Sequence, residues 1–191
     1  MKKRLFSLFT TLIMICSFVV VMPNMDMRVI AYQAAYPTPS LTGDQREDIV
    51  NIALSQKGYK KNNGTVYGAW YDSIKGTNFT NSAWCAMFVS WCANQAGIDQ
   101  NILTYRSYVP DMVKDFQSRG QWQNRNYIPS RGDIIIVNSS GHVGIVTGVS
   151  GNTVYTIEGN KTSLGSACGT EDYQIGSSYI TGYGCCGQAF L

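Results

Sequence analysis

The hydrophobic pattern of the chain changes its period once, after Pro129. Before that point apolar residues recur at helical spacing, most clearly over Trp84–Gly97, where they occupy one face of the predicted helix. After it, the apolar run Asp133–Val137 and the alternating stretches that follow are typical of strands. Helices followed by strands predict an α+β fold in which N-terminal helices pack on an antiparallel β-sheet.

Three helices are predicted in the first part of the chain. The first follows Thr42-Gly43-Asp44-Gln45, which has the form of a capping box, and ends at Gly58. The second is the Trp84–Gly97 helix, and the third begins near Pro110 and ends near Gly120. Residues 59–81 are polar and rich in Gly, Asn and Tyr, so we expect a loop there.

Four strands are predicted in the second part. Their sequences are "DIIIV", "HVGIVTGV", "TVYTIE" and a segment within "SSYITGYG". The turns Asn138–Gly141 and Ser150–Asn152 separate the first three. The order of residues 162–191 beyond the last strand is left open.

The N-terminus has the layout of a secretory signal peptide. Three basic residues precede the uncharged run Leu5–Met22, and small residues follow. Cleavage is expected after Ala31, with Ala34 and Ala35 as competing sites. We therefore expect a secreted, extracellular protein with a linker at 32–41 and one domain at 42–191. An uncleaved anchor is the alternative, because a run of 18 residues can just span a bilayer.

The net charge of +3 belongs to the N-terminal segment. Residues 1–31 carry four basic and one acidic residue, which leaves 11 basic and 11 acidic residues in the remainder. Electrostatic binding to nucleic acid is therefore not expected, and membrane association is expected only if the N-terminal segment stays uncleaved.

Cysteine and histidine counts limit the chemistry. Outside residues 1–31 there are five cysteines, which are Cys85, Cys92, Cys168, Cys185 and Cys186. An odd number in an exported protein leaves at least one candidate reactive thiol. His142 is the only histidine and no C-x-x-C pair occurs, so neither a zinc site nor another metal or cofactor is expected.

Cys85 is the candidate nucleophile because it falls in the first turn of the predicted Trp84–Gly97 helix. A helix N-terminus favours a thiolate and offers backbone N–H groups to an oxyanion. Cys92 lies two turns further along the buried face, and we interpret it as a small core residue.

A cysteine nucleophile needs a base and a group that orients the base. His142 is the candidate base. If Ser150–Asn152 is the hairpin loop, then Val149 faces Thr153, Asn160 lies opposite His142, and Glu158 is the diagonal neighbour of His142 on the same face. A loop one residue longer or shorter changes the parity, so this register is a hypothesis. Glu158 is the candidate orienting residue.

Four aromatic residues are candidates for binding substrate. Tyr67, Trp70 and Tyr71 fall in the predicted loop and could wall a cleft, and Trp84 precedes the candidate nucleophile. The alternative for each is an ordinary core or surface position.

Four segments in this order and spacing resemble the CHAP domain, a branch of the papain-like and NlpC/P60 cysteine peptidases and amidases. The segments are "WCAMFVSWCANQAGI", Gly132-Asp133 before "IIIV", "GHVGIV" and "YTIEGN". The resemblance covers about residues 42–162 and implies a papain-like fold. It also implies that Cys85 is the nucleophile, His142 the general base and then acid, Glu158 the residue that orients the imidazole, and Asn160 a supporting partner.

The resemblance implies hydrolysis of an amide bond of bacterial cell-wall peptidoglycan. The bond is either the N-acetylmuramoyl–L-alanine linkage or a peptide bond of the stem or cross-bridge. The alternatives are a secreted wall-binding module without turnover and an effector that acts on the wall of a competing cell. A monomer is expected.

Two features depart from the pattern of related sequences. Only "NSSG" lies between the first strand and His142, where related sequences often carry an acidic, glycine-rich loop, so no calcium site is expected there. Cys168 lies outside the shared motifs, and a disulfide from it to Cys185 or Cys186 is a candidate link between the C-terminal tail and the sheet.

Overall fold

The structure is a computed structural model, and it describes residues 37–186. The predicted signal peptide and residues 32–36 of the predicted linker lie outside the described residues. Residues 37–44 form no regular helix or strand. Within residues 37–186, none of the helices is long and apolar enough to cross a membrane.

Residues 37–186 contain four α-helices. They are α1 (Gln45–Ser55), α2 (Val66–Lys75), α3 (Cys85–Gln95) and α4 (Val109–Ser118). Helices α1, α3 and α4 confirm the three predicted helices. The N-cap of α1 is Asp44 rather than Thr42, because the Asp44 carboxylate accepts the backbone N–H groups of Arg46 and Glu47.

Helix α2 corrects the prediction of a loop over residues 59–81. The hydroxyl of Thr65 accepts the backbone N–H of Gly68 at 2.9 Å and caps the start of the helix. Gly76 ends it in the left-handed conformation, with φ of 67°. These end signals, and the packing of α2 against α3, outweigh the polar composition of the segment.

The second part of the described chain forms an antiparallel sheet, as predicted, and the sheet has six strands rather than four. Its strand order is β1-β6-β2-β3-β4-β5. The strands are β1 (Trp122–Gln123), β2 (Ile134–Val137), β3 (His142–Ser150), β4 (Thr153–Lys161), β5 (Ala167–Gln174) and β6 (Ile180–Gly184). Strands β1 and β5 were not predicted. Both lie at the edges of the sheet. Polar residues that face outward there weaken the alternation of apolar and polar residues by which a strand is predicted.

The two faces of the sheet bury different sets of residues. Ile134 and Ile136 on β2 belong to the main core, which includes the apolar faces of the helices. Ile135 and Val137 point the other way, into a smaller cluster with Tyr183 of β6. Helix α3 packs against β3 and β4, and its residues from Cys85 to Ala93 are buried.

The turn of the β3–β4 hairpin is one residue shorter than predicted. Ser150 pairs with Thr153, and Val149 pairs with Val154. The prediction that Val149 faces Thr153 is therefore wrong at the turn. A two-residue Gly-Asn turn matches the twist of the strands, which explains the shorter connection.

A β-bulge then shifts the register of the same hairpin. Thr147 is the extra residue in β3, and beyond it Ile145 pairs with Ile157. Continuing this register places Gly144 opposite Glu158, which is the alignment that the sequence analysis predicted near His142.

The predicted disulfide does not form. Cys85, Cys92, Cys168, Cys185 and Cys186 are all free thiols. Three strands separate β5, which carries Cys168, from β6, which precedes Cys185. Strand spacing places β5 and β6 roughly 19 Å apart, whereas bridged cysteines have Cα atoms within about 7 Å.

Candidate active site

Cys85 is the first residue of α3. The N-cap is Trp84, whose side chain makes no capping hydrogen bond. The first backbone bond of the helix runs from the Phe88 N–H to the Trp84 carbonyl at 2.8 Å. The N–H groups of the preceding turn, including that of Cys85, therefore have no acceptor within the helix. They provide partial positive charge and donors beside the thiol.

Gly159 allows β4 to approach the start of α3. A Cβ atom on Gly159 would lie 2.7 Å from the Cβ of Phe88 and 2.7 Å from Cζ3 of Trp84. No larger residue fits without displacing one of these side chains. The glycine of the "EGN" motif thus permits the strand that carries Glu158 to pack directly beside the helix that carries Cys85.

His142 begins β3 and lies between Glu158 and Cys85. Its Nε2 atom is 3.0 Å from Oε2 of Glu158. Cys85 lies close enough to the ring to act on its pKa, and Nδ1 is the ring nitrogen that is not in contact with Glu158. Burial acts to lower the pKa of His142, but the hydrogen bonds and negative charges of Cys85 and Glu158 outweigh it and raise the pKa to about 9.

Gly144 explains how Glu158 reaches His142 across the sheet. A Cβ atom on Gly144 would lie 2.6 Å from Cγ of Glu158. The Glu158 side chain therefore runs over the glycine that faces it and meets the diagonal neighbour, His142. The second glycine of "GHVGIV" leaves the space for this contact.

Glu158 is a buried carboxylate with hydrogen bonds at both oxygens, and 1% of its surface is exposed. Oε1 accepts the hydroxyl groups of Thr156 at 2.7 Å and Tyr173 at 2.8 Å. Oε2 accepts from His142 and from Lys161, whose Nζ atom is 3.3 Å away. Burial acts to raise the pKa of Glu158, but the hydrogen bonds from His142 and Thr156 and the charges of His142 and Lys161 lower it. Because an ionised carboxylate only accepts, it orients His142 with a proton on Nε2.

A cleft of about 530 Å³ brings together four of the residues predicted from sequence, which are Cys85, His142, Glu158 and Asn160. Asn160 lines this cleft with a φ of 60°. Nε2 of His142 donates its hydrogen bond to Glu158 rather than to Asn160.

The other groups around Glu158 were not predicted from the sequence. They are Thr156, Lys161, Glu171 and Tyr173, and the last three also line the cleft. Glu171 and Tyr173 belong to β5, so they could not be placed without that strand. The one sequence signal for Lys161 was its position directly after the "EGN" motif, which places a basic residue close to the acidic Glu158.

The four candidate substrate-binding aromatic residues lie in the core, which corrects the expectation that they contact substrate and that Tyr67, Trp70 and Tyr71 wall a cleft. Tyr67 and Trp84 are 0% exposed, Trp70 is 5% exposed and Tyr71 is 7% exposed. The rings of Tyr67 and Trp84 stack with centroids 5.2 Å apart. Because α2 is a helix that packs on α3, its aromatic face points inward.

Exposed aromatic residues line a second cavity of about 350 Å³ next to the cleft. Ala83 lines both cavities. The second cavity is otherwise formed by Phe79, Ser82, Met87, Ser107 and Tyr108. Phe79 is 39% exposed and Tyr108 is 61% exposed. This wall comes from the helical part of the domain, whereas the sheet supplies most of the first cleft.

Cys92 lies in the core, as predicted, with 0% of its surface exposed. Burial, and secondarily the nearby Cys168, raise the pKa of the Cys92 thiol well above its usual range. Among residues 37–186, we find no group of three or more His, Cys, Asp or Glu side chains arranged to hold a metal ion.

The arrangement contains the parts that acyl transfer requires. A thiol lies at a helix N-terminus, an imidazole contacts it, and a buried carboxylate orients the imidazole. Backbone N–H groups of α3 are available beside the thiol to receive an oxyanion.

Comparison with known protein families gave a match for the segment that contains the candidate site. Residues 76–160 match the family model of the CHAP domain, and this segment includes Cys85, His142, Glu158 and Asn160. Searches of curated proteins and of solved structures gave no match. The CHAP match indicates peptidoglycan hydrolase-type activity in general. Residues 76–160 therefore match the CHAP domain, the family that the sequence motifs predicted.

Proposed function

We propose that this chain is a secreted enzyme that cleaves an amide bond of bacterial peptidoglycan by cysteine nucleophilic catalysis. The observation that carries the proposal is the continuous set of contacts from Cys85 to His142 to Glu158 at the N-terminus of α3. The bond is the N-acetylmuramoyl–L-alanine linkage or a peptide bond of the stem or cross-bridge.

In the first half-reaction, the Cys85 thiolate attacks the carbonyl carbon of the amide. The backbone N–H of Cys85 and a neighbouring N–H of the first turn of α3 hold the oxyanion. His142, protonated and oriented by Glu158, gives its proton to the leaving nitrogen as the C–N bond breaks. The products are a free amine and a thioester on Cys85.

In the second half-reaction, neutral His142 takes a proton from water, and the resulting hydroxide attacks the thioester carbonyl. Collapse of this intermediate releases the carboxylic acid and returns the thiolate and imidazolium. Glu158 stays ionised throughout, and its four hydrogen bonds support that state.

The direction of proton transfer suggests how substrate lies across Cys85. The leaving amine must be on the side of His142, which is the polar cleft with Glu171 and Tyr173. The acyl part then extends the other way, past Ala83 towards the cavity lined by Phe79 and Tyr108. Apolar cavities with a few polar groups are the usual form of such subsites.

The test is digestion of purified peptidoglycan by the exported protein, with muropeptides read by mass spectrometry. Cys85→Ala removes the nucleophile, and Cys92→Ala is the matched control because it removes a buried thiol from the same helix. We expect new fragments from the wild type and Cys92→Ala but none from Cys85→Ala. The masses and new amino ends of the fragments identify the bond.

A folded protein with reduced Cys85 that releases no fragments from walls of several chemotypes would instead favour a non-catalytic wall-binding module. N-terminal sequencing of the same preparation tests secretion. Cleavage after Ala31 gives a chain that begins at Tyr32, whereas an intact N-terminus on a membrane-bound protein would support the anchor.

A further inference from the structure

Strand β4 contains a second β-bulge, immediately after Glu158. Glu158 pairs with Gly169 of β5, and Lys161 pairs with Ala167. Three steps along β4 therefore match two steps along β5, so β4 has one extra residue. Asn160, inside this interval, has a φ of 60°. Asparagine is one of the few residues other than glycine that adopts this conformation readily.

The bulge determines which face of the sheet Lys161 occupies. In a regular strand, residues three apart point to opposite faces, because side chains alternate with a period of two. The extra residue reverses this parity, so Lys161 lies on the same face as Glu158. The "EGNK" sequence thus places an ammonium group beside the buried carboxylate.

Lys161 is enclosed between two carboxylates. Its Nζ atom lies 3.3 Å from Oε2 of Glu158 and 2.7 Å from Oε2 of Glu171. The Lys161 side chain is only 7% exposed, whereas Glu171 is 41% exposed. Oε2 of Glu158 is also the oxygen that contacts His142. Lys161 and His142 therefore bind one oxygen of the same carboxylate from two sides.

We propose that Lys161 is a positioning residue of the active site, which keeps Glu158 ionised and aimed at His142. This inference rests on the proposed function, and it adds a residue that acts through Glu158 without touching substrate. The Gly159-Asn160 bulge makes this role possible, because it places Lys161 on the same face of the sheet as Glu158.

Charge balance explains why Glu158 needs this lysine. The charged groups around Glu158 are His142 on β3, Lys161 on β4 and Glu171 on β5, and its neutral donors are Thr156 and Tyr173. Cys168 on β5 is also close, and burial and the charge of Glu158 raise the pKa of its thiol to about 12, so it stays neutral. With His142 protonated, two cations face two carboxylates. Removal of Lys161 leaves two carboxylates with one imidazolium, and a buried carboxylate without a counter-charge takes up a proton more readily. Protonated Glu158 no longer orients His142 as required.

The test compares Lys161→Met, Lys161→Gln and Lys161→Arg in the exported protein. For Lys161→Met we expect kcat/KM to fall about tenfold, by analogy with the loss of outer-shell partners of metal ligands. We also expect the acid limb of the pH profile to move up by about one unit. Lys161→Arg should restore the acid limb, because it restores the cation. Lys161→Gln keeps a hydrogen-bond donor but removes the charge, so its acid limb should move up as in Lys161→Met. If Lys161→Met does not fold, Lys161→Gln takes its place in the comparison.

A double-mutant cycle separates positioning from general structural support. In the Glu158→Gln background, Lys161→Met should change kcat/KM by less than about twofold, because the carboxylate through which Lys161 acts is already absent. An equal loss in both backgrounds, or an unchanged acid limb in the Met and Gln variants, would overturn the proposal.

A readout without turnover keeps the proposal testable if the proposed function fails. The NMR signal of the His142 ring should show a second, acid inflection when Glu158 is protonated. This inflection should lie about one pH unit higher in Lys161→Met than in the wild type. The same inflection in both proteins would overturn the proposal whatever the activity.

Discussion

Nε2 of His142 lies 3.0 Å from Oε2 of Glu158, a carboxylate that is 1% exposed. His142 is the only histidine in the chain, so the NMR signal of its ring protons can be followed without assignment in a tag-free protein. We expect a His142 pKa of about 9. Cys85→Ala and Glu158→Gln should each lower it, because each removes a hydrogen bond and a negative charge. A wild-type pKa near 6.5 would contradict the described contacts.

The raised pKa of His142 has a consequence for stability. A group whose folded pKa exceeds its ordinary value stabilises the protein fully below the ordinary value, and this contribution is lost as pH rises through the folded value. For His142 that window runs from 6.5 to about 9, and the shift corresponds to about 3 kcal/mol. Urea unfolding across this range should show the free energy of unfolding falling with pH in the wild type.

His142→Gln is the control for that measurement, because it removes the titrating group. Its free energy of unfolding should fall less steeply between pH 6.5 and 9 than that of the wild type. Parallel curves for the two proteins would show that the titration of His142 does not contribute to the pH dependence of the free energy of unfolding.

The space above Gly144 should be necessary for the His142–Glu158 contact. Gly144→Ala would place a Cβ atom 2.6 Å from Cγ of Glu158, so the carboxylate must move. We expect the variant to fold, with a lower His142 pKa and a reduced kcat. Gly148→Ala is the matched control on the same strand, because a Cβ atom there meets nothing within 4 Å. Equal His142 pKa values in the two variants would contradict this role of Gly144.

The parts of the fold that could be predicted are those whose signals are local. The apolar stripe of α3 and the runs that form β2, β3 and β4 follow from periodicity. Helix α2 was missed because polar segments flank it on both sides, so its extent becomes clear only with Thr65 and Gly76 at its ends. Strand β5 was missed because its exposed edge carries polar residues, so its identity depends on pairing with β4.

The candidate site likewise contains residues that could be predicted from the sequence and a residue that could not. Cys85, His142 and Glu158 were identified because motif spacing and hairpin register place them. The register near His142 was correct only because the bulge at Thr147 compensates for a turn one residue shorter than expected. Lys161 could not be placed, because the second bulge reverses the parity on which a sequence argument depends.

The proposed substrate orientation makes the exposed ring of Tyr108 part of the acyl-side subsite. Tyr108 is 61% exposed and lines the cavity that shares Ala83 with the cleft. Loss of one aromatic contact should cost about 1 kcal/mol, or about fivefold in binding. With soluble muropeptides we therefore expect Tyr108→Ala to raise KM about fivefold with little change in kcat or thermal stability.

Tyr155→Ala is the matched control for Tyr108→Ala. Tyr155 is 45% exposed on β4 and lines neither of the two cavities beside Cys85. Since removal of an exposed ring far from substrate should leave KM unchanged, the control isolates the effect of location. Equal kinetics for the two variants would place the acyl part of the substrate elsewhere. A lower kcat at unchanged KM for Tyr108→Ala would mean that Tyr108 contacts the transition state alone.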